Sequence, residues 1–148
     1  MGVARDIRDS LKSIIEAELP DYKEAKNVLD VERNPNVNLA KRYGVRSLGR
    51  SRNDDSITKH LTYDHDFEVL IIDLYKNLKK DDQKQQEIAM QQIDAMEALA
   101  KRIESKKVGL PGTVLNTEFF TEDEPEFFED QNLSVLRATF TIKYRIPI

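Results

Sequence analysis

The chain has 148 residues, of which 39% are hydrophobic and 34% are charged, and its formal net charge is -4 at pH 7. A chain of this length buries roughly 68–70% of its unfolded surface on folding, so a single domain over residues 1–148 is expected. The absence of cysteine excludes disulfides, thiolate zinc sites and cysteine nucleophiles, and it favours an intracellular, cytoplasmic protein.

Apolar residues recur every three or four positions over the first twenty residues, from Val3 to Leu19. This period predicts an amphipathic helix that ends at Pro20. Charged residues interrupt every apolar run here, so neither a signal peptide nor a membrane span is expected, and no membrane partner. A weaker strand is predicted over residues 25–33, ahead of the turn cluster Asn34, Pro35 and Asn36.

The segment KRYGVRSLGRSR, residues 41–52, carries five cations and no acid. It holds two glycines and a polar run follows it, so a long loop or an extended hairpin is predicted over about residues 34–60. The next segment, ITKHLTYDHDFEVLIIDLY (57–75), is rich in β-branched and aromatic residues and predicts one long strand. Both faces of this strand are apolar after Val69, which predicts that its end is covered on both sides.

The second half of the chain predicts a helix and two further strands. The helix spans residues 81–107, with an apolar stripe of Ala89, Ile93, Met96, Ala100 and Ile103. A strand follows over residues 113–121, the run EDEPEFFED is expected to be a solvated loop, and LSVLRATFTIKYRI (133–146) alternates as a half-buried strand. The predicted class is α+β, with a mixed, mainly antiparallel sheet of about four to five strands and two helices packed on it.

One face of the long strand could carry chemistry. His60, Asp64, Asp66 and Glu68 share a parity, and alternating carboxylates could hold Mg²⁺ or Mn²⁺, as in a small metal-dependent nuclease. The other interpretation, a solvated face whose acids pair with nearby cations, is favoured because a motif without structural context is often accidental. No phosphate-binding glycine loop and no G-x-S-x-G serine is present, so neither catalysis nor a cofactor is expected.

Charge is separated along the chain: residues 41–52 carry five cations, and residues 118–130 carry seven carboxylates and no cation. The two segments could pair within one chain, pair between copies, serve two different partners, or be unrelated solvated loops. Pairing between copies would be heterologous, and heterologous contacts that close by rotation make rings. The candidate interface residues are Lys41, Arg42, Arg46, Arg50, Arg52, Glu122, Asp123, Glu124, Glu126, Glu129 and Asp130.

The order of elements resembles that of a known family. A short N-terminal helix, the strand FEVLIIDLY leading into a helix of about seven turns, the strand TEFF, an acidic loop and the final strand LRATFTIKYRI are similar to the tail terminator, or tail-completion, proteins of long-tailed bacteriophages. The similarity covers nearly the whole chain. The region from Asn34 to Ser56 is longer than the smallest members of the family need, which leaves the pairing of the first strands open.

The resemblance implies a structural virion protein without catalytic residues. It implies a homo-oligomeric ring, a hexamer, that caps the tail tube and then joins the head-side connector or neck proteins, located in the tail or neck of a virion assembled in the host cytoplasm. A domain of this length has a radius of gyration of about 15 Å, so six touching copies leave a hole roughly 35–40 Å wide, through which DNA could pass without specific binding. The alternatives are a head-side connector protein and, from a different class, a metal-dependent nuclease or DNA-binding accessory protein.

Overall fold

The computed structural model describes residues 2–25, 41–52, 60–74, 82–104, 114–128 and 133–147. In chain order they form helix α1 (Val3–Glu18), strands β1 (Lys23–Glu24), β2 (Lys41–Arg52) and β3 (His60–Leu74), helix α2 (Asp82–Glu104), and strands β4 (Val114–Glu122), β5 (Glu126–Phe128) and β6 (Leu133–Pro147). The predicted class is confirmed: two helices pack on a mixed, mostly antiparallel sheet. The sheet has six strands, more than the four to five expected, because short strands β1 and β5 join it.

The sheet has the strand order β1-β2-β3-β6-β4, and β5 also pairs with β6. All neighbouring strands are antiparallel except β1 and β2. The long strands β3 and β6 form its centre and pair without interruption from His60↔Pro147 to Leu74↔Leu133. The basic strand β2 therefore lies on one side of this central pair, and β4 and β5 lie on the other side.

Both helices contribute to one hydrophobic core on a single face of the sheet. Side chains alternate between the faces of a strand, so the odd-numbered residues of β3 and the even-numbered residues of β6 meet the helices. The side chains that are fully buried there include Ile7, Leu11, Ile15, Phe67, Met96, Phe140 and Tyr144. The opposite face is also buried at the end of β3, where Leu70 and Ile72 are each 1% exposed, so the predicted burial on both sides is confirmed.

A buried polar cluster links α2 to the centre of the sheet. The side-chain amide of Gln92 donates to the Ser134 carbonyl oxygen at 2.9 Å, and the Ser134 hydroxyl donates to Gln92 Oε1 at 2.6 Å. Beside it, the Tyr22 hydroxyl lies 2.9 and 3.0 Å from the two carboxylate oxygens of Asp73. Burial raises the pKa of Asp73, against the hydrogen bonds from Tyr22 and Gln92 that stabilise its charged form. The cluster satisfies polar groups that would be costly to bury alone.

The predicted elements are largely present, with shifted bounds. Helix α1 ends at Glu18, before Pro20, and α2 and β3 lie within the predicted spans. The predicted loop character of EDEPEFFED is wrong in part, because β4 extends through Glu122 and β5 covers Glu126–Phe128. The weak strand predicted over residues 25–33 lies almost wholly outside the described residues. Neither described helix has a stretch long and apolar enough to cross a membrane.

Candidate functional site: two oppositely charged edges of the sheet

The basic segment is strand β2, which pairs antiparallel with β3 along its length. Its first residues are built into the fold: Arg42 is only 9% exposed, and the Lys41 ammonium lies 5.3 Å from the centre of the Tyr22 ring. From Arg46 onward every residue of the strand is exposed. Of the predicted cations, Arg46, Arg50 and Arg52 are therefore the ones available to a partner.

A bulge in β2 divides these arginines between the two faces of the sheet. The pairing with β3 shifts between Ser47 and Gly49, so that Ser47 faces Phe67 and Gly49 faces Asp66, with Leu48 as the extra residue. Gly49 has a φ of 110°, a conformation that favours glycine, and Leu48 is 46% exposed. As a result Arg46 lies on the face away from the helices, whereas Arg50 and Arg52 lie on the helix-covered face.

Arg50 joins a hydrogen-bond network at the bulge. Its guanidinium donates to the Tyr144 hydroxyl at 2.9 Å and lies 4.3 Å from the centre of the Tyr63 ring. Tyr144 is fully buried, and its hydroxyl oxygen lies 2.9 Å from His65 Nδ1. The other ring nitrogen, Nε2, lies 2.6 Å from Ser47 Oγ, and in the tautomer whose Nδ1 accepts the Tyr144 proton, Nε2 carries the ring proton and donates to the serine.

This polarity is opposite to that of a catalytic serine–histidine pair. In such a pair the histidine nitrogen accepts the proton of the serine hydroxyl. In the tautomer that accepts the Tyr144 proton the histidine nitrogen donates toward Ser47, and the Gly49 amide donates to the same oxygen at 3.2 Å. In that tautomer the network holds the geometry of the bulge.

Replacing His65 with glutamine is expected to flatten the dependence of stability on pH between pH 7.5 and 5.5. Burial, followed by the charge of Arg50, lowers the pKa of His65, while Asp66 acts weakly in the opposite direction. The unfolded chain therefore binds a proton near pH 6.5 that the folded chain resists, so stability falls as the pH drops below that value. Thermal unfolding of the wild type and His65→Gln at both pH values checks this, and an equal loss in both proteins contradicts it.

The acidic segment lies at the other edge of the sheet. Glu118 and Glu122 belong to β4, Glu126 begins β5, and the backbone amide of Asp123, in the connection, donates to the Arg137 carbonyl oxygen at 3.0 Å. Burial, then the charges of Glu124 and Glu97, raises the pKa of Glu122. Glu124 of the same segment and Glu97 of α2 thus add negative charge beside a carboxyl whose charged form burial already disfavours. Glu129 and Asp130, also predicted for the interface, lie outside the described residues.

The two charged segments are separated within one chain by β3 and β6. At about 4.8 Å between neighbouring strands, β2 and β4 are roughly 14 Å apart. None of the ion pairs in the described parts of the chain joins a cation of β2 to an acid of β4 or β5. The basic and acidic segments therefore do not pair with each other within the described residues of one chain.

The carboxylates predicted as a possible metal site make cross-strand contacts instead. Glu68 Oε1 lies 2.7 Å from Arg46 Nε and 3.5 Å from an Arg137 guanidinium nitrogen, and Asp66 accepts a hydrogen bond from Thr141 at 2.7 Å. Within the residues that the structure describes, no group of three or more histidine or acidic side chains is arranged to hold a metal ion. The described contacts of Glu68 and Asp66 are thus an ion-paired cluster and a hydrogen bond to a threonine.

Sequence reasoning missed the features that organise this site. The bulge was signalled only by Gly49, and a glycine alone does not distinguish a bulge from a turn. The parity of His65 is opposite to that of His60, Asp64, Asp66 and Glu68, which places it on the other face of the strand, but its bonds to Ser47 and Tyr144 depend on pairing between distant strands. No local pattern could have predicted them.

Comparison with known proteins adds a likeness of fold. No protein-family model matches the sequence, and no curated protein matches it. The structure is similar to a chain in a solved structure described as the virion of a native gene transfer agent (GTA) particle, with a TM-score of 0.63 and 12% sequence identity. The match covers 98% of both chains. At this identity the likeness shows a shared fold.

Proposed function

We propose that this chain is a structural virion protein, a tail terminator that caps the tail tube as a ring and offers the surface on which head and tail join. The observation that carries the proposal is the end-to-end similarity of its fold to a chain of a GTA virion, which spans 98% of each chain. The resemblance of its element order to tail terminators points to the same role.

The charged edges support assembly rather than catalysis. The exposed arginines of β2 and the acids of β4 and β5 lie near opposite edges of the sheet. One copy can therefore present its basic edge to the acidic edge of the next. Such contacts are heterologous, and they close into a ring when the rotation between copies permits. The ring would have six copies, with the tail tube on one face and a head-side connector or neck protein on the other.

The face of the sheet away from the helices fits the wall of a channel. It carries both signs of charge, with Glu68 held between Arg46 and Arg137. A mixed surface attracts phosphate weakly, and the net charge of -4 also disfavours tight DNA binding. DNA could therefore slide through such a ring.

The test of this proposal is whether the purified chain assembles into rings and whether it binds tail tubes or head-side portal complexes. We expect sedimentation and negative-stain images to show rings, in solution or on cognate tail tubes, and we expect added chain to stop tube elongation. Binding to head-side portal complexes but not to tail tubes would identify a head-side connector instead. A strict monomer without affinity for either would overturn the proposal.

A further inference from the structure

The two edges of the sheet that carry opposite charge each have a stretch of strand that no described strand covers. On one side β1 pairs only with Arg42 and Tyr43, so residues 44–52 of β2 extend beyond it. On the other side β4 pairs with β6, and no described strand lies beyond β4. Each stretch is nine residues long. Exposed edges of this kind readily pair with a strand from another chain.

The two stretches lie at the same height across the sheet. Ser51 pairs with Asp64, Asp64 with Lys143, and Lys143 with Asn116, so Ser51 and Asn116 are level with one another. At the other end Val45 is level with Glu122, through Val69 and Ala138. In a closed ring each copy lies at the same height along the ring axis as its neighbour. Because the two stretches are level within one copy, they can meet between copies without a shift along that axis.

Strand direction also fits. β2 is antiparallel to β3, β3 to β6 and β6 to β4, so β2 and β4 run in opposite directions. Rotation about an axis along the strands preserves these directions. The β4 of one copy would therefore meet the β2 of the next as an antiparallel neighbour, and the faces of the sheet would remain continuous.

The charges of the two stretches are complementary. Residues 44–52 carry three arginines and no acid, and residues 114–126 carry five acids and no cation. In the level register Arg46 and Glu118 are diagonal neighbours on the face away from the helices, since Glu118 is level with Gly49 through Asp66 and Thr141. Diagonal neighbours on one face lie about 7–8 Å apart, within reach of long side chains.

We propose that residues 44–52 of β2 pair antiparallel and level with β4 of a second copy of this chain, so that the sheets of all copies form one continuous closed sheet. The inference rests on the proposed function, because it specifies the contact that makes the ring. Four strands spaced about 4.8 Å apart give each copy about 19 Å of circumference, so six copies in level register close a cylinder roughly 37 Å across at the backbone. This width agrees with the roughly 35–40 Å hole expected from six compact domains.

A disulfide between copies tests the pairing directly. The chain has no cysteine, and Ser51 and Asn116 are both exposed. Within one chain they are three strand spacings apart, about 14 Å, whereas a disulfide requires Cα atoms 4.4–6.8 Å apart. In the proposed ladder they lie directly opposite each other across the junction. Mild oxidation of the Ser51→Cys, Asn116→Cys variant, with and without cognate tail tubes, should give a ladder of covalent multimers that ends at one closed species.

The matched control is Ser51→Cys with Glu87→Cys, which has the same number of thiols but places one on the exposed face of α2. We expect at least tenfold less cross-linking in the control. Equal cross-linking in both variants, or none in either while the wild type forms rings, overturns the strand pairing and leaves the proposed function standing. A ladder without an upper limit supports the pairing but contradicts a closed cap. A wild type that stays monomeric even on tail tubes, with no cross-link, overturns both.

Discussion

Replacing Met96 with alanine is expected to lower the free energy of unfolding by about 2–5 kcal/mol. Met96 lies on α2, is 0% exposed and belongs to the core that both helices form with the sheet. The substitution removes buried apolar atoms and leaves a cavity that the surrounding side chains fill only in part. For a chain of this length that loss corresponds to a fall in Tm of about 4–20 °C. Denaturant and thermal unfolding measure it.

The same helix offers a matched control. Met90 is 54% exposed, and Met90→Ala makes the same chemical change without opening a cavity. Its effect should stay within about 0.5 kcal/mol, since alanine is at least as good a helix former as methionine. Equal losses of stability at the two positions would contradict the finding that the Met96 side of α2 packs against the sheet while Met90 is exposed.

The strands and helices of this chain were predictable where a long continuous segment shows a regular apolar pattern. Alternation in β6 indicated that Leu136, Ala138, Phe140, Ile142, Tyr144 and Ile146 share one face. The first five are buried, and Ile146 is partly buried against the same core. The period of α1 was equally clear, with its buried residues among those of the predicted stripe. In both elements the apolar residues alone determine which face is covered.

The stripe of α2 was predicted only approximately. Met96 and Ile103 are buried as expected, but the centre of the covered face also includes Gln92, which is 0% exposed. An apolar pattern cannot indicate a buried glutamine, because its burial depends on partners supplied by a strand 42 positions away. The polar partners, and not hydrophobicity, make this position possible.

The candidate site was predictable in composition but not in arrangement. The sequence pattern indicated one basic and one acidic segment. It did not indicate that a bulge sends Arg46 to one face and Arg50 to the other, or that β2 and β4 are level across the sheet. A shift of one residue reverses the face of every later side chain, so the face of a charge depends on register and not on composition.

Reversing the charge of Glu118 is expected to weaken assembly at least about tenfold, which is about 1.4 kcal/mol per contact. Glu118 is exposed and has no ion pair among the described residues, so Glu118→Arg should leave the fold of the monomer unchanged. In the proposed ring it would place an arginine beside Arg46 of the neighbouring copy, and juxtaposed like charges at an interface are strongly unfavourable. Sedimentation at low salt measures the loss, with Glu87→Arg as a control of equal charge change on α2.

Mixing two variants distinguishes this contact from a general effect of charge. At this contact Glu118→Arg places a cation beside Arg46 of the next copy, and Arg46→Glu places an acid beside Glu118 of the next copy, so neither variant should assemble well alone. Together they should form rings of alternating composition, because each junction then joins opposite charges, and only an even number of copies can close in this way. Recovery of assembly in the mixture, lost again as salt screens the contact, identifies Arg46 and Glu118 as partners. Failure of the mixture when each variant is folded would assign the junction to other residues of the two edges.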